Sequence, residues 1–539
     1  MTSRRWTGDA VAIGLFLVVL GLSCQSIAND NGAFTYALDD AYIHLAMAEN
    51  LAEHGTWGIE PGVFESASSS PAWTSALAAA TALPVANAWL PLLLNAVGGA
   101  LLILAVIRAS GAEDTAGRAA VGVTTVFALA LVPSALLGME TLPHAAAVAW
   151  FVLLVADQAT RGPRLPWWLA AATGAALIAF RLESAFLVGG AALAVLALGT
   201  GTRQARTRLA AGLVGGAVAA LGAIAAVNVA FGQFPLPTSV VAKSRVVTDG
   251  DGALLRPLKD PTGAVEILGR NVSNNPRLLW AVAVCLLVLA IPHERLRGAR
   301  AGALTVLVAF VGQSWYGYTF NRYGEYLVAG GAIVAALAVS SLVVPATGEQ
   351  TGEPATLSLR WLPWVALAGV LVLGQLPELG RLSDAPSSVH RQQEQMARFL
   401  EEHFDGRAVA LNDLGFIAWR HDGPVVDLLG LGTAEVTRLR RGSPDDLSPA
   451  QLEASAESGG AEVVVIYPDR DKFFPNGLPD SWDPVMEWCL EGSIGVAGGR
   501  CVTWFATADG DPDELADALE SFTAQLPRGV TAELLRSGR

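Results

Sequence analysis

Few side chains in this sequence suit proton or phosphate chemistry, and most of them stand where long apolar runs end. Asp39 and Asp40 are adjacent in YALDDAYIHLAMAENLAEHG, directly after the first apolar run. Glu140 lies in LLGMETLP, Arg181 and Glu183 in FRLES, Lys243 in FGQFPLPTSVVAKSR, and Arg322 and Tyr323 in YTFNRYGEY. A carboxylate can take the proton of a hydroxyl as a general base. Lysine and arginine can hold a phosphate, arginine through two parallel hydrogen bonds. Each residue also has an ordinary structural role that competes. Asp39 or Asp40 can cap the helix that follows, Glu140 can sit in a first helical turn, Arg181 and Glu183 can pair locally, and Lys243 can snorkel. Charges at the edge of an apolar run are costly unless they are solvated, paired or functional. Two acids, a third acid and several cations at similar edges therefore point to one site. A base, cations and a lipid phosphate as leaving group describe sugar transfer from a polyprenyl-phosphate sugar.

The same inventory lacks a Gly-rich phosphate loop and a metal-ligand cluster. His44, His54 and His144 read as ordinary polar residues, because a zinc site needs three or four protein ligands. No cofactor and no metal are expected.

The elements that must position these residues are membrane helices. The 539 residues are 52% hydrophobic and 16% charged, against roughly 25% charged in a soluble domain. Runs of about 20 apolar residues predict about eleven helical spans, near 10–28, 88–107, 119–138, 142–159, 165–180, 184–199, 208–231, 278–292, 301–319, 325–344 and 360–376. The apolar stretch 72–84 is short, ends at Pro84, and reads as a juxtamembrane or re-entrant helix. The N-terminus has a basic start but no small-x-small cleavage site, so the first run is expected to stay as a span. With the N-terminus inside, the connections carrying Arg108 and Arg118, Arg161 and Arg164, Arg203, Arg206 and Arg208, and Arg295, Arg297 and Arg300 all fall on the cytoplasmic side, as does Arg360. That satisfies the positive-inside rule. The segments 29–87, 139–141, 181–183, 232–277, 320–324 and everything after 377 then face the other way. They hold nearly all the unusual polar residues.

Residues 1–376 thus form a polytopic α-helical membrane domain, and 377–539 an extracytoplasmic α/β domain. The latter shows β-like runs in RAVALND, GPVVDLL, AEVVVIYP and RCVTWFAT. Helical stretches HRQQEQMARFLEEHF and LSPAQLEASAES accompany them, and the end from 512 onward reads as an exposed helix. Cys489 and Cys501 flank a Gly-rich turn, and a hairpin disulfide or two free thiols are both open. The net charge of −14 gives no hint of nucleic-acid binding.

The sequence resembles the GT-C superfamily of integral-membrane glycosyltransferases. The resemblance is carried by LDDAYIHLAMAENLAEHG with ESASSSPAW after it, GMET, FRLES, FGQFPLPTSVVAK and NRYGEYL, and by ALNDLGFIAW followed by VVDLLGL. It looks most like bacterial arabinofuranosyltransferase- and mannosyltransferase-like proteins, and is more distantly similar to lipid A aminoarabinose transferases and protein O-mannosyltransferases. The resemblance implies a catalytic acidic pair in the first outer loop, matched by Asp39 as the base and by Asp40. Arg181 and Glu183 match an Arg-Pro-Glu-Gly pattern that here reads Arg-Leu-Glu-Ser. Lys243 and Arg322 match positions expected near the donor phosphate.

The expected activity is inverting transfer from a polyprenyl-phosphate-linked sugar donor to a hydroxyl of a glycan, lipid or protein acceptor. Asp39 and Asp40 are expected to be catalytic. Glu140, Arg181, Glu183, Lys243, Arg322 and Tyr323 are expected to bind substrate, in the inner (plasma) membrane. A lipid-linked sugar transporter or a non-catalytic envelope assembly protein are the alternatives. A transporter would place charges near the midplane and show internal repeats; here the charges gather at one side and no repeat is visible.

Overall fold

The computed structural model describes residues 2–243, 259–273, 275–316, 321–343, 362–379, 384–443, 446–468 and 473–535. The chain folds into two compact units, each built from separated segments. The first takes Met1–Ser23, Pro91–Ala223 and Ser244–Leu379; the second takes Cys24–Leu90, Ile224–Lys243 and Gly380–Arg539. The second unit thus joins the first loop and the 224–243 segment to the C-terminal domain.

A helix occupies each of the eleven stretches read as spans. They are α1 (Thr2–Asn31), α4 (Leu90–Ser110), α5 (Thr115–Ala128) with α6 (Leu131–Leu136), α7 (Thr141–Arg161), α8 (Trp167–Phe180), α9 (Ser184–Leu198), α10 (Arg203–Ala230), α13 (Pro276–Ala290), α14 (Arg297–Tyr316), α15 (Glu325–Val343) and α16 (Leu362–Leu379). Among the described residues five are long and apolar enough to cross a membrane alone, or six if α12 (Pro261–Ser273) and α13, bent by 115°, count as one span. The others are short or broken. Helix α8 has 14 residues, roughly 21 Å at the α-helical rise and less than the ~30 Å hydrocarbon core. The 119–138 stretch breaks at Ala130, whose φ of 48° is left-handed. In the first unit α9 packs on α14, and a Cβ at Gly190 would collide with the Thr305 carbonyl. Such small residues let membrane helices approach closely.

The second unit holds α2 (Asp40–His54), α3 (Pro71–Ala80), the short α11 (Thr238–Lys243) and an α/β domain. In chain order the domain contains α17 (Asp384–Arg391), α18 (Gln393–His403), β1 (Val409–Leu411), α19 (Gly415–Arg420), β2 (Val425–Asp427), α20 (Ala434–Gly442), α21 (Pro449–Ser458), β3 (Val463–Ile466), β4 (Asp483–Leu490), β5 (Cys501–Ala506), α22 (Pro512–Thr523) and β6 (Val530–Leu534). The sheet order is β2-β1-β3-β5-β4-β6. Strands β2, β1 and β3 are parallel, with Val409 opposite both Val425 and Val463. Their residues, six of ten of them valine, are buried at every position, as expected where helices cover both faces of a parallel sheet. Phe399 of α18, Trp488, Trp504 and Phe522 of α22 form an aromatic cluster on one face. Val436, Leu452 and Ala456 of α20 and α21 pack with Ala410, Val464 and Phe505 on the other.

One expectation for this domain changes, and one strand went unread. Strand β4 was not apparent because Asp483 and Pro484 open it and a register shift between Pro484 and Met486 breaks its apolar alternation. The C-terminal stretch is not one helix: α22 ends at Thr523, and β6 pairs along β4 from Met486 to Leu490. Every residue of α2 from Ala41 to Ala48 is buried. Cys489 and Cys501 face one another across β4 and β5 and form a disulfide.

Candidate active site

In the second unit the site begins with Asp39, the residue before α2. Its side chain makes no cap hydrogen bond to its own helix. It reaches instead across the chain: Oδ2 accepts from the Gly415 N–H at 2.6 Å and Oδ1 from the Phe416 N–H at 2.8 Å. Gly415 is required at this contact, because a Cβ there would collide with the Asp39 carbonyl and carboxylate. Tilted aromatic contacts hold the two segments together. The Tyr42 ring of α2 lies 4.1 Å from Phe416 and 5.3 Å from Trp419 of α19, and Glu49 accepts from the Trp419 indole at 3.0 Å.

Two residues before Gly415 stands Asp413, whose carboxyl lies beside that of Asp39. Asp413 Oδ2 also accepts from Gln393 Nε2 at 2.7 Å and lies 3.0 Å from the Tyr467 hydroxyl. Tyr467 follows β3, and Asn412 fixes its backbone by hydrogen bonds in both directions, at 3.2 and 3.0 Å. Burial first, and the Asp413 carboxylate second, hold the Asp39 carboxyl well above the ordinary range. Burial raises Asp413 as well, against its interactions with Asp39, Gln393 and Tyr467. Two buried carboxyls in contact cannot both ionise cheaply. Asp40 occupies the first turn of α2 and is half-buried.

The segment leading to Lys243 is tied into the same unit. The Thr238 N–H donates to the Ser66 carbonyl at 2.8 Å, and its hydroxyl lies 3.0 Å from Ser66 O and 2.8 Å from Leu431 O. The Leu431 loop is held by Asp427, which accepts from the Leu429 and Gly432 N–H groups. Helix α11 ends at Lys243, whose side chain lies outside the described residues, as do 244–258.

The first unit assembles the other candidates. Glu140 and Arg181 are buried and form an ion pair. Arg181 Nε donates to Glu183 at 2.6 Å. Its guanidinium stands 5.3 Å from the Tyr323 ring centre, and that of Arg322 stands 5.0 Å from the same ring. Asn95, fully buried in α4, sets the Glu140 turn: it donates to Met139 O at 2.8 Å and accepts from Leu142 N. The five residues picked from separate sequence segments thus form one cluster. Arg181 is neutralised by two carboxylates, which makes it a holder of the cluster rather than an uncommitted cation. His144 contacts Ser184 at 2.9 Å, and His44 contacts Thr74 at 2.9 Å.

Asp413, Gln393, Tyr467 and Asn95 were not singled out from the sequence. The mark Asp413 carries in the sequence, an acid two residues after the short strand Val409–Leu411, is ordinary in a polar domain.

The structure is similar to that of ArnT from Cupriavidus metallidurans bound to undecaprenyl phosphate. The TM-score is 0.51 with 16% identity, over 92% of this chain and 97% of that one. The fold is GT-C-like. A weaker likeness, TM-score 0.47 at 13% identity, is to the oligosaccharyltransferase AglB from Archaeoglobus fulgidus in complex with an inhibitory peptide and a dolichol-phosphate; it covers 90% of this chain and 74% of that one. Residues 386–505 match a family described as a domain of unknown function, DUF8728. Among curated proteins none matches the sequence. A GT-C-like fold with long apolar helices makes the chain a membrane protein.

Proposed function

We propose that this GT-C-like protein transfers a sugar from a polyprenyl-phosphate donor to the hydroxyl of an extracytoplasmic acceptor, with inversion. The observation that carries this reading is the Asp39 carboxyl. It is held by two backbone N–H groups, and burial raises its proton affinity, which strengthens it as a general base. Each carboxylate oxygen has two lone pairs, and only one on each is taken by a backbone donor. Asp39 removes the acceptor proton as the acceptor oxygen attacks the anomeric carbon. The bond from that carbon to the phosphate oxygen breaks, and its electrons leave with the lipid phosphate. Asp40 orients acceptor or sugar hydroxyls. Arg322 and Lys243 stabilise the charge that grows on the phosphate, a preorganised electrostatic role. Arg181 keeps Glu140, Glu183 and Tyr323 in the geometry that binds the donor.

The GT-C-like fold supports the assignment, since the similar ArnT structure holds undecaprenyl phosphate. The Cys489–Cys501 disulfide supports an oxidising compartment for the α/β domain. It accords with an eleven-span topology that has the N-terminus in the cytoplasm. The test is transfer from a panel of radiolabelled polyprenyl-phosphate sugars, hexose and pentose, by membranes holding wild type or Asp39→Asn in equal amount. Loss of transfer in the variant supports the base; equal transfer removes it.

A further inference from the structure

We propose that Asp413, at the carboxyl end of β1, is the proton partner of Asp39, so that one proton is held between the two and the α/β domain sets the protonation of the catalytic base. The proposal rests on the reading of Asp39 as that base.

The placement of Asp413 in the sheet is the first argument. After β1 the chain turns through α19 to β2, which lies on one side of β1. After β3, on the other side, it continues away from β1. The crevice beyond the carboxyl ends of β1 and β3 is therefore a topological switch point, the place where open α/β sheets take their ligands. Asn412 and Asp413 follow β1 there, and Tyr467 follows β3. What fills this position is Asp39, contributed by the chain 376 residues earlier. The domain grips the carboxylate of the first loop as such a sheet would grip a ligand.

The second argument is how both carboxyls are fixed. Asp39 is set by the Gly415 and Phe416 N–H groups, and Asp413 by Gln393 at 2.7 Å and Tyr467 at 3.0 Å. Tyr467 is in turn fixed by Gln392, Gln393 and Asn412. Such a network orients Asp413 more closely than a filler role requires. The groups facing the pair are Asp40 and Tyr42 from α2 and Tyr467 after β3, with Glu394 of α18 near Tyr42. These are acids and phenols, so they favour retention of a proton by the pair. A pair that shares one proton titrates as a unit. In the reaction the acceptor hydroxyl gives its proton to the ionised oxygen of the pair. The acceptor oxygen bonds to the anomeric carbon as the lipid phosphate departs with the electrons of its bond, and the neutral pair then returns one proton to water. Asp413 is a positioning residue, because it acts through Asp39.

The experiment uses the full-length protein in lipid nanodiscs, with two readouts. Infrared difference spectra between wild type and each of Asp39→Asn and Asp413→Asn detect a protonated buried carboxyl. The pH dependence of transfer is measured for wild type, Asp413→Asn and Tyr467→Phe. Both Asn variants are expected to lose the same protonated-carboxyl band at neutral pH. Asp413→Asn is expected to retain transfer within about tenfold above the acid limb. Removing the neighbouring charge lowers the Asp39 pKa, so that limb moves to lower pH by about one unit or more. Tyr467→Phe removes a donor to the ionised pair, so its limb moves up. A band that persists in Asp413→Asn, or an acid limb that stays in place, overturns the pairing while leaving the transferase reading intact. Wild type that transfers no sugar removes the transferase reading, and the infrared band still decides whether the proton is shared.

Discussion

The Asp39 carboxylate accepts a 2.6 Å hydrogen bond from the backbone N–H of Gly415, a residue 376 positions away. This contact joins the first loop to the C-terminal α/β domain within one compact unit. It is possible only because position 415 has no side chain.

Gly415→Ala is therefore expected to cost about 1–3 kcal/mol, the usual range for forcing extra carbon into a packed site, and to lower transfer more than it lowers stability. Gly222→Ala in α10, where a Cβ meets nothing within 4 Å, is the control. Thermal unfolding of the two purified variants separates them; equal melting temperatures would mean that the close approach is not needed.

Burial raises Glu65 to about 8, offset in part by the Ile59 N–H, with Glu60 and Asp427 adding to the rise. A carboxyl whose folded pKa lies above its unfolded value contributes stability that is complete below the ordinary carboxylate range. That stability is lost as pH rises towards 8, because the folded state binds more protons. Wild type should lose thermal stability between pH 5 and about 8, and Glu65→Gln should flatten part of that slope. A slope unchanged in the variant would place the titration elsewhere.

The cluster around Arg181 yields an asymmetric prediction. Arg181→Ala leaves the buried Glu140 and its neighbour Glu183 without their shared cation, which should cost about 3–5 kcal/mol and reduce accumulation in the membrane. Arg181→Met combined with Glu140→Gln and Glu183→Gln should recover most of the folded protein but not transfer. Folded yield by detergent-resistant gel filtration reads the first effect. Full yield from Arg181→Ala would show that the ion pairs are dispensable.

The chain has four cysteines, of which Cys24 and Cys285 are free and buried. Thiol counting after denaturation should give two reactive groups in the oxidised protein and four after reduction. Replacing Cys489 and Cys501 by Ser should cost about 2–4 kcal/mol, as expected for opening a short loop. Four thiols without reductant would remove the disulfide, and with it one support for the outer placement of this domain.

How much of this could be read in the sequence depended on the range of each interaction. The membrane helices were legible from apolar runs alone, and β1, β2 and β3 from the short apolar runs in RAVALND, GPVVDLL and AEVVVIYP. Strand β4, whose alternation is broken between Pro484 and Met486, and β6, a short strand with no buried position, take their pairing from the sheet and were missed. Glu140, Arg181, Glu183, Arg322 and Tyr323 stood out because charge at the end of an apolar run is costly, and the structure brings them together. Asp413 carried no such mark: in a polar domain an acid after a strand is ordinary. Its meaning arises from Asp39, which only the folded chain brings to it. Asn95 was hidden for the opposite reason, as a single amide in an apolar helix whose task is to hold two backbone groups of a distant turn.

The most direct test of the account is sugar transfer from polyprenyl-phosphate donors by wild type beside Asp39→Asn, at equal protein in the membrane. Transfer from at least one donor that falls by a hundredfold or more in the variant, within the range attributed to general-base catalysis, is the predicted result. Transfer that is undiminished in Asp39→Asn, or absent from wild type with every donor, would contradict it.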